Sequence, residues 1–357
     1  MTKSIFEMIT ADAIASYYET VRSNAIPYLG ETLFPAKKQI GLKLEWIKGY
    51  DNLPVQLTPS AFDTKPTLRD RGGISMEQVK MPFFRESMRL GEEDRQLLLM
   101  FQNEKSNPYA TQIMGRLFDD VVTLVDGALI NPEVMRMGII VDGKFSIATK
   151  ADSGTYVSYD YNYDTDDAWK EKNVETLTGT AKWSDHENSN PVKDIIDMKR
   201  DAELRGITLT RAIIGYNTWL DIMANKKIRL DMNPVAGNNI IVTDELVSRY
   251  LEGKTGVRFQ IYTKMYKDTD GKEQYFFPQT GCCTLLPGTA LGSTWFGTTP
   301  EEADLMSGNT DANVSIVNTG VAIGTKKESL PVNVVNWVAE IVLPSFENMN
   351  RVFNIKY

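Results

Sequence analysis

KQIGLKLEWIKGY at residues 38–50 and ISMEQVKMPFFRESMRL at residues 74–90 carry the reading on which the fold turns. In the first, Ile40, Leu42, Leu44 and Trp46 or Ile47 alternate with polar residues, the period-two pattern of a strand with one buried face. The second opens after Gly72-Gly73 and alternates through much of its length. Pro82 within it removes a ladder donor, which places that point at an edge or a bulge. Between the two runs, Pro54, Pro59, Asp63, Pro66 and Asp70 mark a turn-rich middle. The expected element is a long two-stranded ribbon. Two strands alone are marginal in water, and no helix adjacent in sequence covers this pair. The ribbon is therefore expected to lie on another surface.

On the N-terminal side, Thr10 suits a helix N-cap, and Ile14, Tyr17, Tyr18 and Val21 fall at i, i+3, i+4 and i+7 on one stripe. Pro27 and Gly30 end this helix, whose apolar stripe must meet something distant in sequence or another chain. On the C-terminal side, GEEDRQLLLMFQ from Gly91 is a short helix. Asn107-Pro108 then starts a long one through Ile113, Leu117, Val121, Leu124 and Ala128. Asn131-Pro132 repeats the start signal, so the helix is expected to kink or restart there before ending near Asp142-Gly143. KFSIAT and TYVSYDYNY follow as short strands, with an acidic turn at Asp164, Asp166 and Asp167.

From Trp183 the pattern becomes α/β. A helix runs from Pro191 to about Arg205 behind Asn190. Then come strand RAIIGY, helix NTWLDIMAN, strand IIVT, helix DELVSRYLEG and strand VRFQIYT. Asp270-Gly271 reads as a hairpin turn. YFFPQTGCCTLLP holds a buried strand, and the last thirty residues are β-rich.

Composition narrows the function. The 357 residues carry 39 Lys+Arg against 47 Asp+Glu, a net charge of −8, with 42% hydrophobic and 24% charged residues. These are globular proportions at a length that usually makes about two or three domains. The acidic balance argues against an obligate nucleic-acid binder. Adjacent cysteines at 282 and 283 offer no disulfide framework, and nothing resembles a signal peptide or membrane span. The expectation is a soluble intracellular protein.

The chemical motifs are weak. Gly253-Lys254-Thr255 ends like a phosphate loop, but Ser248 replaces the required glycine and a helix precedes it, so a helix cap at Gly253 is preferred. His186, the only histidine, sits in a polar loop and cannot make a two-histidine metal site. Cys282 and Cys283 lack zinc or redox spacing and read as small core residues. Asp268-Thr269-Asp270-Gly271 lacks the remaining acids of a calcium loop. Tyr17, Tyr18, Trp46, Phe83 and Phe84 have no Lys/Arg groove around them and read as anchors of a protein contact. No catalytic, cofactor or metal set emerges, and a rival intracellular hydrolase would rest on His186 and the acidic turn alone.

The order of elements, with Arg71-Gly72-Gly73 opening the outgoing strand, Gly91 to Asp94 and Asn107-Pro108-Tyr109-Ala110 before the long helix, Gly179-Thr180 through Trp183-Ser184, and Tyr275-Phe276-Phe277-Pro278, resembles the major capsid proteins of tailed bacteriophages. The similarity is to the lambda-like branch, the major capsid protein E family of Hong Kong 97-type fold.

The resemblance implies an α+β capsid fold with an N-terminal arm at 1–35 and an extended loop at 36–90. It further implies a peripheral domain of 91–180 plus 326–357, with a spine helix at about 107–140, and an α/β axial domain at 181–325. It implies no enzyme and no cofactor, but a head protein assembled in the host cytoplasm into the icosahedral shell of the virion. Partners would be further copies in hexamers and pentamers, a separate scaffolding protein, the portal, a decoration protein, and packaged DNA held without sequence recognition; no membrane is involved. Tyr17, Tyr18, Trp46, Arg71, Gly72, Gly73, Phe83 and Phe84 become inter-subunit contact candidates, and Asn131 and Pro132 hinge candidates. An encapsulin-like nanocompartment shell is the alternative on the same fold.

Overall fold

The computed structural model describes residues 10–22, 28–47, 76–89, 96, 108–150, 156–235, 241–308, 312–329 and 332–357. Arg71, Gly72, Gly73, the turn-rich middle of the ribbon and all of the 91–102 helix but Gln96 lie outside these residues. The chain divides into two compact units. The first takes residues 1–45, 78–135 and 293–345, and the second takes 46–77, 136–292 and 346–357.

In the first unit, α1 (Ala11–Arg22), α2 (Leu29–Leu33), β1 (Ala36–Lys38) and β4 (Phe83–Arg89) precede the larger part of a long helix, α3 (Pro108–Asp142). The chain returns to this unit as β13 (Ser293–Phe296), a helix at Pro300–Ser307, β14 (Asn313–Val317), β15 (Val321–Ser329) and β16 (Val332–Ser345). The sheet runs β1-β13-β16-β15-β14, with β4 also paired to β16. Strand alternation sends Val321, Ile323, Val334 and Val338 to one face. There they form a core with Ile14 and Tyr18 of α1 and Val121, Leu124, Val125 and Ala128 of α3.

Pro82 interrupts the run where an edge or a bulge within one strand is expected: β3 (Met76–Lys80), paired with β2 (Lys43–Ile47), stops short of it, and β4 resumes at Phe83. The outgoing run is therefore two strands rather than one. Its second half pairs in full register with β16, Phe83 opposite Ile341 through Arg89 opposite Val335. The other surface that the ribbon is expected to need is, for this segment, a distant strand of its own chain.

The second unit holds a five-stranded sheet of order β7-β17-β12-β8-β9, namely β7 (Val174–Thr176), β17 (Phe353–Lys356), β12 (Cys282–Pro287), β8 (Leu209–Ile214) and β9 (Arg258–Ile261). Helices at Pro191–Leu204, Tyr216–Ala224, Lys226–Met232 and Asp244–Thr255 accompany it, with hairpins β5 (Lys144–Lys150)–β6 (Tyr156–Asn162) and β10 (Met265–Lys267)–β11 (Glu273–Tyr275). Asn190 caps the first of these helices by accepting from Lys193 N, as its position suggests. Trp183, Ile195, Leu209, Trp219, Val247, Leu251, Leu285 and Phe353 are among the core residues.

Two readings are corrected in this unit. IIVT is not a strand over its described residues, since Ile241 is 85% exposed and Thr243 instead accepts from Leu246 N to cap the following helix. That helix runs through Gly253 and ends at Gly256, which takes the left-handed conformation with φ 67°. The helix Lys226–Met232 was not expected. Its signal was Asn225, whose Oδ1 accepts from Lys227 N and Ile228 N.

Candidate assembly surfaces

Thr10 caps α1 with its Oγ1 3.2 Å from Ala13 N. The stripe it sets up is satisfied by distant parts of the same chain. Ile14 and Tyr18 are buried, the Tyr18 hydroxyl accepts from Asn318 Nδ2 at 2.7 Å, and Ala11 N donates to Asn313 Oδ1 at 2.7 Å. Tyr17, half-buried on the helix flank, donates to Asp119 Oδ1 at 2.8 Å, and that carboxylate raises its pKa. Of the two outcomes open to this stripe, burial on remote sequence is the one realised within the chain.

At the base of the ribbon the alternation holds only from Lys43. Leu44 and Trp46 are buried, Trp46 with its ring 5.5 Å from Tyr163. Ile40 and Leu42, expected on the same face, are 89% and 44% exposed. The strand does not begin until after Gly41, whose φ of +103° turns the preceding residues out of register. Gly297 makes this turn possible, because a Cβ there would fall 2.9 Å from Gly41 O and 2.7 Å from Ile341. Lys38 bonds Gly297 O and Glu302 beside it. Phe83 and Phe84 are half-buried on opposite faces of β4, with the Arg85 guanidinium 5.0 Å over the Phe83 ring.

Helix α3 passes Asn131 and Pro132 without restarting. The residues flanking the proline are held from outside the helix: Asn131 Nδ2 donates to Glu340 Oε1 at 3.0 Å, and Glu133 Oε1 accepts from Gly30 N at 3.1 Å. These anchors offset the backbone hydrogen bond that Pro132 cannot make. A restart at Asn131 is therefore corrected to a continuous helix through Asp142.

The residues considered for chemistry make the following contacts. Asp164 accepts from Trp169 N and Lys170 N with its two oxygens, so the acidic turn caps a helix at Ala168–Asn173. His186 Nε2 lies 2.9 Å from Asp221 Oδ1, and the other Asp221 oxygen accepts from Tyr357 at 2.8 Å. Cys282 and Cys283 are buried free thiols; burial pushes Cys282 up to about 11 and Cys283 higher still. Asp268 accepts from Asp270 N and Lys272 N in the β10–β11 hairpin turn. Among the described residues no three His, Cys, Asp or Glu side chains could hold a metal, and no helix is long and apolar enough to cross a membrane.

One surface escaped the sequence reading. The helix Pro300–Ser307, α9, starts on Thr299-Pro300, a start signal of the same type as Asn107-Pro108. Its burial is inverted: Glu301 and Glu302 are 7% and 6% exposed, while Leu305 and Met306 are 44% and 68% exposed. Arg85 pairs with Glu301, whose Oε1 also accepts from Trp337 Nε1 at 3.1 Å, and Lys38 pairs with Glu302. Without those cations, from β4 and β1, the helix could not turn its acids inward. Beside it lies a groove of about 470 Å³.

Comparison with known proteins gives a consistent answer. The family described as phage major capsid protein E matches residues 10–319. A protein assigned as the capsid protein of an Escherichia coli CFT073 prophage superposes with a TM-score of 0.56 at 14% identity, covering 98% of this chain and 99% of that one. A phage-related protein from Bordetella bronchiseptica RB50 gives 0.56 at 12% identity, with 98% and 97% covered. A chain of the satellite phage P4 procapsid, solved with its size determination protein, gives 0.50 at 9% identity, with 97% and 90% covered. No curated protein matches the chain by sequence.

Proposed function

This chain belongs to the phage major capsid protein E family, and from that premise we propose how its copies build and enlarge a shell. It is a shell-forming head protein with the tailed-phage capsid fold, a structural component of the virion. The observation that carries this is the family match over residues 10–319. Its work is association. Contacts that repeat around rings close a shell, and many modest ones suffice because they act together.

Several finer parts of the reading are ours. Assembly takes place in the host cytoplasm, into hexamers and pentamers, around a separate scaffolding protein and a portal, with a decoration protein as a further partner. The shell holds DNA without reading its sequence, which an excess of 47 acidic over 39 basic residues favours by keeping phosphate contacts weak. The five-stranded unit takes the axial role and the six-stranded unit the peripheral one. Tyr17, Phe83 and Phe84 keep open surface for a neighbouring copy, and Arg71, Gly72 and Gly73 belong to the extended loop. Tyr18 and Trp46 act by fixing the arm and the ribbon base inside their own chain.

Negative-stain microscopy of the purified protein, alone and with the scaffolding protein of its phage, tests this. Closed shells of uniform size are expected. A protein that stays monomeric with its scaffold in every buffer tried would end the proposal. His186→Ala is expected to assemble as the parent does, and a hydrolytic activity lost with that substitution would favour the rival reading.

A further inference from the structure

The turn between β14 and β15 is built from backbone that its residues do not favour. Val317 pairs with Val321, and Asn318, Thr319 and Gly320 join them. Asn318 and Thr319 take φ of 47° and 70°, both in the left-handed region. Gly320 N donates to Asn318 O at 2.9 Å, which closes a three-residue γ-turn with Thr319 at its centre. With a positive φ at the central residue this is the rare and strained form of that turn. A β-branched side chain there raises the cost. The Thr319 side chain is exposed, so its own burial does not offset the strain. Such a conformation persists only where its surroundings impose it.

Neighbours on both sides of the turn impose this one. On one side Gly320 rests on Phe296 of β13, where a Cβ would fall 2.5 Å from the Phe296 Cβ. On the other, Asn318 Nδ2 donates to the Tyr18 hydroxyl of α1 at 2.7 Å. The first turn of the same helix is tied to the same hairpin, through Ala11 N and Asn313 Oδ1 at 2.7 Å. Helix α1 therefore spans β14, an end strand of its sheet, from Asn313 at its start to Asn318 just past its end. Seating the helix and holding the turn draw on the same contact.

We infer that α1 and the Asn318–Gly320 turn form a strained latch: the seated helix holds the turn in its left-handed form, and the turn relaxes when the helix lifts away. The stabilisation from burying Ile14 and Tyr18 is offset in part by the turn, so α1 leaves its seat more readily than its packing alone would allow. The coupling is reciprocal, and whatever eases the turn must tighten the helix. In a shell-forming chain this lowers the threshold at which the N-terminal helix is freed from its own subunit. The latch itself belongs to the single chain and needs no shell.

Hydrogen exchange on the full-length subunit in solution tests it. Amides of residues 11–22 are expected to exchange at least about tenfold faster than those of β15 and β16, because α1 opens before the rest of its unit. Thr319→Gly removes the strain and is expected to slow exchange across 11–22 by about tenfold. Thr319→Asn, a residue that tolerates left-handed backbone, is expected to shift it in the same direction by less. Tyr18→Phe cuts the tie, and in that background Thr319→Gly is expected to alter exchange across 11–22 by less than about twofold. A parent in which 11–22 exchanges as slowly as β15 and β16 would overturn the latch. So would Thr319 substitutions that slow β15 and β16 but not 11–22, since the turn would then be strained whether or not the helix is seated. An equal effect of Thr319→Gly with and without Tyr18→Phe would overturn it as well. Failure of the chain to form shells would leave all these outcomes readable and strike the shell-forming reading alone.

Discussion

Gly324 faces Trp337 across the β15–β16 ladder, and a methyl group there would lie 2.2 Å from the indole. The ring lies flat on the strand only because that side chain is missing, and the same ring bonds Glu301 and floors the groove. Gly324→Ala is expected to cost about 1–3 kcal/mol of subunit stability, the usual penalty for overfilling a packed site, read as a lower urea midpoint. Cys282 makes a second prediction. Burial holds its folded pKa at about 11, whereas an unfolded thiol titrates near about 8.5. The folded state therefore keeps a proton that the unfolded state gives up, and this contribution is complete below the unfolded pKa and declines as pH rises toward 11. Stability measured from about pH 8 to 11 is expected to fall more steeply for the parent than for Cys282→Ala. Equal slopes would show that the thiol is not held as its burial implies. Thiol reagents at neutral pH are expected to label neither cysteine until the chain unfolds.

The long helix ends on a hydrogen-bond account that closes through one distant residue. Asn354 of β17 donates to Ile140 O at 2.9 Å and Val141 O at 3.0 Å, two of the carbonyls a helix end leaves unpaired, while its Oδ1 accepts from Thr284. Asn354→Leu strands both carbonyls and the Thr284 hydroxyl in the core, and is expected to cost at least about 2 kcal/mol. Asn354→Asp, which sets a carboxylate against the negative helix end, is expected to cost more; urea unfolding of the two variants checks the order. Elements with local signals were legible in sequence: Thr10 and Asn190 as caps, Pro108 as a first helical residue, Asp270-Gly271 as a turn. What could not be read were partners remote along the chain. Nothing near Phe83 announces Val335–Ile341, nothing near Asn313 announces α1, and the inward acids of α9 make sense only once Arg85 and Lys38 are beside them. The ribbon stripe failed at Ile40 and Leu42 because Gly41 turns the chain before the strand begins.

At the scale of the whole molecule, the two hinge candidates sit where α3 is clamped from both sides, at Asn131 by Glu340 and at Glu133 by Gly30. We propose that the shell expands as it fills and that the subunit bends where helix hydrogen bonding is already weak, at Pro132. Pro132→Ala is expected to leave the isolated subunit as stable as the parent or more so, and to slow shell expansion severalfold when followed by time-resolved scattering. Identical expansion kinetics would remove the hinge. The family was legible from element order, whereas the inverted burial of α9 was not, because exposure is a property of the folded chain. A different consequence follows from where β17 lies. Residues 353–356 form an inner strand of their sheet, between β7 and β12, yet they follow the other four strands of that sheet in sequence. A chain cut before Phe353 lacks a middle rung of that sheet, and is expected to be digested by protease rather than to assemble.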